Sequence, residues 1–216
     1  MQDLFQENDD ARADVEQLGE QAFVLRGFAL EYVPELLPAI SSVQAAAPFR
    51  HMVTRGGYTM SVALTNCGHL GWTTDRRGYR YTHEDPLTGK PWPALPGVME
   101  RLAKSAATEA GFENFQPDAC LVNRYEPGSR LTLHQDRNEI DYSAPIVSVS
   151  LGVPATFLWG GAERSDPTRK VRLVHGDVVV WGGVDRMRYH GVADMKEAVH
   201  PIFGDHRINF TFRKAG

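Results

Sequence analysis

Arg207-Ile208-Asn209-Phe210-Thr211-Phe212-Arg213 alternates polar and apolar residues without a break. In a strand, residues two apart share a face. Ile208, Phe210 and Phe212 therefore turn one way, while Arg207, Asn209, Thr211 and Arg213 turn the other. The apolar face belongs in a core. If the polar face also turned inward, its two arginines would need an anionic partner to offset the cost of burying charge. At roughly 3.3 Å per residue the two arginine Cα atoms stand roughly 20 Å apart. Between inward-leaning side chains that span leaves room for one short dicarboxylate held at both ends, and 2-oxoglutarate is such a molecule. The competing reading is an outward-facing charged edge strand.

The rest of the second half has the same texture. Ala119 to Tyr125, Leu131 to Asp136, Ile146 to Leu151, Thr156 to Trp159, Val171 to Val174 and Val178 to Trp181 are short β-rich runs between Gly, Pro and Asp clusters. Such spacing predicts an antiparallel sandwich. Upstream, Phe23-Val24-Leu25 reads as a strand and Tyr32 to Ala46 as a helix. A second helix is expected from Pro96 to Ala110, with Pro96 in its first turn and Gly111 at the C′ position. Between the helices, residues 49–92 are rich in Gly, Thr, Arg and aromatics, and are expected to form hairpins and loops that cover something.

With 216 residues and 42% of them hydrophobic, the chain can bury one sizeable core, which favours a single domain. Cys67 and Cys120 cannot make a disulfide framework, so a reducing cytosol fits. No run approaches the roughly 18 apolar residues of a membrane span. The net charge of -4 is uneven. Residues 1–20 carry seven acids against Arg12 and form an acidic tail, leaving the remainder positive. Phe49 to His83 holds five arginines (Arg50, Arg55, Arg76, Arg77, Arg80) against Asp75, so a polyanion should meet this segment.

Leu131 to Asp136, read as a strand, puts Leu131 and Leu133 on the core side and aims His134 with Asp136 the other way. An imidazole beside a carboxylate supplies two ligands of the two-His-one-carboxylate face that holds iron(II) and leaves positions open. His190 follows the Val178 to Trp181 run and a Gly182-Gly183 turn, so a returning strand could bring it opposite the pair. His51, His69, His83, His175, His200 and His206 are left as structural or solvated. Trp72 and Tyr79, interleaved with Arg76, Arg77 and Arg80, offer a surface for stacking a base beside charges that neutralise phosphate.

At this point the chain resembles the AlkB family of iron- and 2-oxoglutarate-dependent dealkylases. The resemblance rests on Gly57-Tyr58-Thr59-Met60-Ser61, Gly68-His69-Leu70-Gly71-Trp72, Asn123-Arg124-Tyr125, His134-Gln135-Asp136, Tyr189-His190-Gly191 and the Arg207 to Arg213 strand. It covers nearly the whole chain after the acidic tail. It implies an α+β double-stranded β-helix, or jelly-roll, in one dioxygenase domain over residues 21–216, with flanking N-terminal helices and a β-rich nucleotide-binding lid over about 49–92. His134, Asp136 and His190 are implied as ligands of Fe(II). Asn123, Tyr125, Arg207, Asn209 and Arg213 are implied as the 2-oxoglutarate pocket, with O2 as the second co-substrate. Trp72 and Tyr79 would touch the substrate, and Thr54, Asn138 and Arg164 are further substrate contacts. Where one member of the family carries a second acid two positions after the metal-binding Asp, this chain has Asn138, a departure that weakens the carry-over of base preference.

The activity implied is removal of small alkyl groups from bases of the 1-methyladenine and 3-methylcytosine type. The partner would be single-stranded or flipped-out alkylated DNA or RNA, bound by a cytoplasmic monomer with no membrane association. Three other readings compete. A cupin-like isomerase or hydrolase would use the metal without releasing succinate. A non-catalytic nucleic-acid-binding module would tolerate His134→Ala. An oxygenase acting on a protein or small molecule would not need the basic aromatic segment.

Overall fold

The computed structural model describes residues 14–216, and the Arg207–Arg213 run lies inside its largest sheet. In chain order the strands are β1 (Val15–Gln17), β2 (Ala22–Leu25), β3 (Arg50–Val53), β4 (Thr59–Gly68), β5 (Gly71–Asp75), β6 (Gly78–Thr82), β7 (Ala119–Tyr125), β8 (Leu131–His134), β9 (Ile146–Gly152), β10 (Ala155–Trp159), β11 (Arg169–Leu173), β12 (Val178–Trp181), β13 (His190–Val192) and β14 (Arg207–Arg213). Helix α1 (Val33–Ala46) precedes β3, and α2 (Gly97–Glu109) precedes β7. Eight strands form an antiparallel sheet in the order β1-β2-β12-β9-β14-β7-β4-β3. Four more form a second sheet, β11-β10-β13-β8, and β5 with β6 makes a separate hairpin.

Alternation decides which face goes where. Ile208, Phe210 and Phe212 of β14 join Val122, Val147 and Val149 in a core closed by Leu36 of α1 and by Met99 and Leu102 of α2. Phe210 and Phe212 are wholly buried, and each contributes about 1.5–3 kcal/mol relative to exposure. Both helices thus cover the outer face of the large sheet. Its inner face meets the small sheet, where Ile146, Val179 and Trp181 pack on Phe157, Trp159, Val171 and Leu173. Arg207, Asn209, Thr211 and Arg213 are buried on the inside of the sandwich. This two-sheet architecture is the expected jelly-roll with few helices, and Gly111 takes the left-handed φ of 84° expected of a C′ residue.

Four expectations need correction. The Leu131 strand ends at His134, so Asp136 sits in the following loop and the two-residue strand period does not place it. Leu131 and Leu133 are only half-buried, because β8 is an edge strand. Within the acidic N-terminal segment, Val15–Gln17 is a strand paired with β2, and Glu16 binds Arg26 and Arg169. Residues 1–13 lie outside the described residues. The segment 49–92 divides: β3 and β4 complete the large sheet, while β5 and β6 stand apart as the hairpin. Among the described residues no helix is long and apolar enough to cross a membrane.

Candidate metal centre and its cavity

β13 returns antiparallel to β8 with His190 directly opposite His134. The approach is close enough that a Cβ at Gly191 would lie 2.7 Å from the Leu131 carbonyl oxygen, so only glycine fits after His190. Asp136 completes the group, with His134 Nε2 at 3.6 Å from its Oδ1 and His190 Nε2 at 3.9 Å from its Oδ2. The three donor atoms lie within 4.8 Å of one another, and no other such cluster of His, Cys, Asp or Glu occurs among the described residues. His134 Nδ1 is 2.9 Å from the Thr132 carbonyl and His190 Nδ1 is 3.0 Å from the Arg188 carbonyl. A carbonyl only accepts, so each neutral ring carries its proton on Nδ1 and turns the Nε2 lone pair into the site.

Electrostatics prepares the same donors. Burial opposes ionisation of Asp136, but the Arg213 guanidinium, then His190 and His134, overcome it and hold the carboxyl well below the usual carboxylate range. Burial, with His134 beside it, pushes His190 down to about 3, so the ring is neutral and ready to ligate at physiological pH. An unfolded histidine takes up its proton near 6.5. Between those values the unfolded chain binds more protons, and stability rises with pH. The metal-free protein is expected to lose up to about 1.4 kcal/mol per pH unit from this group as pH falls from 6.5 towards 3. Urea melts of wild type and His190→Gln across that window check this, and parallel slopes would contradict it.

A cavity of about 1170 Å³ opens over the three donors. Every site residue expected from the sequence lines it: the donors, Asn123 and Tyr125 of β7, Arg207, Asn209 and Arg213 of β14, and Trp72, Tyr79, Thr54, Asn138 and Arg164. Arg207 is 2% exposed and gives one hydrogen bond, from Nη2 to Ser150 Oγ at 2.9 Å, while its buried Nε and Nη1 have no partner. Two orphaned N–H groups on a buried cation define a place for an anion, which fits one carboxylate of 2-oxoglutarate. Arg213 is different. Its Nε and Nη2 donate to Asp136 Oδ2 at 2.9 and 2.7 Å, so it is not the free cation that strand spacing suggested. Asn209 is likewise occupied, donating to Ser148 Oγ and the Val149 carbonyl and accepting from Asn123 Nδ2 at 3.4 Å.

Sequence reasoning did not single out Ser148 and Ser150, although their alternation in the Ile146-Val147-Ser148-Val149-Ser150 run was a usable signal. Glu139, Arg186 and Tyr81 carried none, because their contacts cross tens of residues. The basic segment is also smaller than charge counting implied. Arg50 forms a two-pronged ion pair with the buried Asp85, and Arg80 pairs with Asp75. Arg55, Arg76 and Arg77 are exposed and make no ion pair among the described residues. At the cavity mouth Trp72 stacks on Tyr79, 5.6 Å between centroids at 21°, and Trp72 Nε1 lies 3.4 Å from Asn138 Oδ1.

Comparison with known proteins agrees with this geometry. The family model of the 2OG-Fe(II) oxygenase superfamily matches residues 21–213. The chain is 56% identical over its whole length to the alpha-ketoglutarate-dependent dioxygenase AlkB of Escherichia coli (strain K12), covering 99% of that protein. It is 44% identical to the AlkB homolog of Caulobacter vibrioides (strain NA1000 / CB15N), over 83% of this chain and 80% of that protein. The solved structure of OsALKBH1 superposes with a TM-score of 0.80 at 28% identity, covering 93% of this chain and 99% of the other.

Proposed function

Because the chain belongs to the AlkB family of 2OG-Fe(II) oxygenases, we propose that it oxidatively removes small alkyl groups from ring nitrogens of bases in DNA or RNA, as repair of alkylation damage. It is an enzyme that requires Fe(II), 2-oxoglutarate and O2. The observation that carries the reading is one cavity that joins three metal donors, a buried arginine with orphaned donors and a stacked aromatic pair at its mouth. When bound, iron with 2-oxoglutarate and O2 supplies the oxidation that hydroxylates the N-alkyl carbon, which then leaves as an aldehyde while succinate and CO2 are released.

The chain's own groups do the remaining work. His134, Asp136 and His190 would hold the metal on one face. Arg207 would take one carboxylate of the co-substrate, with Tyr125 under its guanidinium at 5.0 Å. Asn123 and Asn209 would set the pocket's polar wall, and Arg213 would steady Asp136 while facing the co-substrate. A base inside its stack is out of reach, so the enzyme would act on a single-stranded or flipped-out nucleotide. Trp72 and Tyr79 would hold that base, with Thr54, Asn138 and Arg164 on the cavity wall beside it. Arg55, Arg76 and Arg77 would meet the phosphates. We read residues 21–216 as the single dioxygenase domain, with the β5–β6 hairpin as the working part of the lid, in a cytoplasmic monomer.

The test is incubation with Fe(II), ascorbate, 2-oxoglutarate and a panel of N-methylated oligonucleotides, scored by mass. Loss of one methyl carbon with matching succinate supports the reading. Succinate release that no oligonucleotide stimulates would point to a protein or small-molecule substrate.

Arg207 gives a separable prediction. Arg207→Leu removes the co-substrate's charged partner, a loss of about 1.5–3 kcal/mol, so 2-oxoglutarate affinity is expected to fall by roughly tenfold or more. The same change removes a buried, under-partnered charge, so the ligand-free variant is expected to melt no lower than wild type. At about 100 times its Kd the co-substrate adds about 2.7 kcal/mol to wild type, and at that same concentration the gain in the variant should fall to about 1.4 kcal/mol or less. Unchanged co-substrate protection in Arg207→Leu would remove Arg207 from the pocket.

A further inference from the structure

A buried group of charges ties the hairpin that would hold the base to the loop that carries Asp136. Trp72 of β5 lies directly opposite Tyr81 of β6, and Tyr79 is two residues before Tyr81, so all three side chains share one face of the hairpin. The Tyr81 hydroxyl donates to Glu139 Oε1 at 2.6 Å. Glu139, 6% exposed, accepts from Arg186 Nη2 on its other oxygen at 3.1 Å, and Arg213 Nε lies 3.5 Å from Oε1. Arg213 in turn holds Asp136 Oδ2, and Arg186 Nη1 donates to the Asp136 backbone carbonyl at 2.7 Å. Two carboxylates and two arginines are thus buried together, and the hairpin enters the group through Tyr81.

A buried ionic cluster is an expensive way to fasten a loop, since apolar replacements of similar volume are often as stable or more so. What it provides is stiff, directional linkage. Because Glu139 and Asp136 share Arg213, a movement of Glu139 changes the pull on Asp136 Oδ2. Resting on the dealkylase reading, we infer that Tyr81, Glu139 and Arg213 form a positioning relay, through which a base seated against Trp72 and Tyr79 sets the orientation of Asp136 towards the metal. Tyr81 and Glu139 touch neither base nor metal in this arrangement and act through their neighbours.

Cobalt(II) serves as the probe, because its visible absorption reports the arrangement of its ligands. In wild type, adding a methylated single-stranded oligonucleotide is expected to shift the spectrum of the bound cobalt. Tyr81→Phe removes one hydrogen bond and keeps the ring. It is expected to bind cobalt and oligonucleotide within about twofold of wild type, while the oligonucleotide-induced shift falls by about three- to tenfold. Glu139→Gln, which keeps an acceptor for Tyr81 but loses its charge toward the arginines, should lose the shift as well. A full wild-type shift in Tyr81→Phe overturns the relay. So does a Tyr81→Phe protein whose oligonucleotide affinity falls in proportion to the shift, because Tyr81 would then merely prop the hairpin. Wild type that binds the oligonucleotide with no spectral change overturns the relay and leaves the dealkylase reading standing. Wild type that binds no methylated oligonucleotide overturns both.

Discussion

Replacing His190 by alanine is expected to abolish stoichiometric iron(II) binding and turnover while the sandwich remains folded. The ring's Nε2 is one of three donors within 4.8 Å, and two donors cannot close the face that a two-His-one-carboxylate site requires. Loss of a hydrogen-bonding partner around a metal ligand already costs about 10- to 100-fold in affinity, so loss of the ligand itself should exceed about 100-fold. The fold should survive, because the apolar surroundings of His190 remain. Trp181 packs edge-on at 4.9 Å and Phe157 at 6.1 Å, and neither depends on the imidazole for a hydrogen bond. His134→Ala is a gentler companion, since that side chain is one-third exposed and its removal opens no sealed space. Iron titration and a thermal melt on both variants separate loss of metal from loss of fold. One iron per chain and normal turnover in His190→Ala would remove it from the ligand set.

How much of this was readable in advance depends on the range of the interaction. The β14 faces follow from a period of two, whereas neighbouring β7 shows no such alternation, and Asn123 and Tyr125 fall on the cavity side because they pair directly with Asn209 and Arg207. The position of His190 needed only a turn and a returning strand. Asp136 reached its place by a different route from the one the pattern suggested. It lies past the end of β8, held by Arg213 from 77 residues away and by Arg186 from 50, and no local pattern encodes such partners. Charge counting failed for the same reason in the basic segment. Arg50 finds Asp85 35 residues on and Arg80 pairs with Asp75, so of five arginines two are structural and three make no ion pair among the described residues. Composition gives the charge of a segment, whereas tertiary pairing decides how much of it faces a ligand.

Trp72→Ala is expected to weaken binding of methylated oligonucleotide by roughly 5- to 150-fold, because stacking on an aromatic contributes roughly 1–3 kcal/mol per base. The indole is placed for this. It is half-buried at the cavity mouth and stacks on Tyr79, and its Nε1 lies 3.4 Å from Asn138. Trp72→Phe keeps a π-face and should recover much of the affinity, although not the Asn138 contact. A base methylated on a ring nitrogen carries positive charge, which the electron-rich indole face favours. The loss should therefore be larger for the methylated oligonucleotide than for its unmodified parent. Phosphate contacts from Arg55, Arg76 and Arg77 would add equally to both, so the titrations belong at one fixed salt concentration. Succinate formation without nucleic acid should hardly change, because the ring is tied to Tyr79 and Asn138 and makes no hydrogen bond to the metal donors or to Arg207 among the described residues. Equal affinities of wild type and Trp72→Ala for both oligonucleotides would leave the indole as a prop for the hairpin and return the choice of substrate to a protein or small molecule. A loss confined to the methylated strand would instead tie recognition of the lesion to this ring.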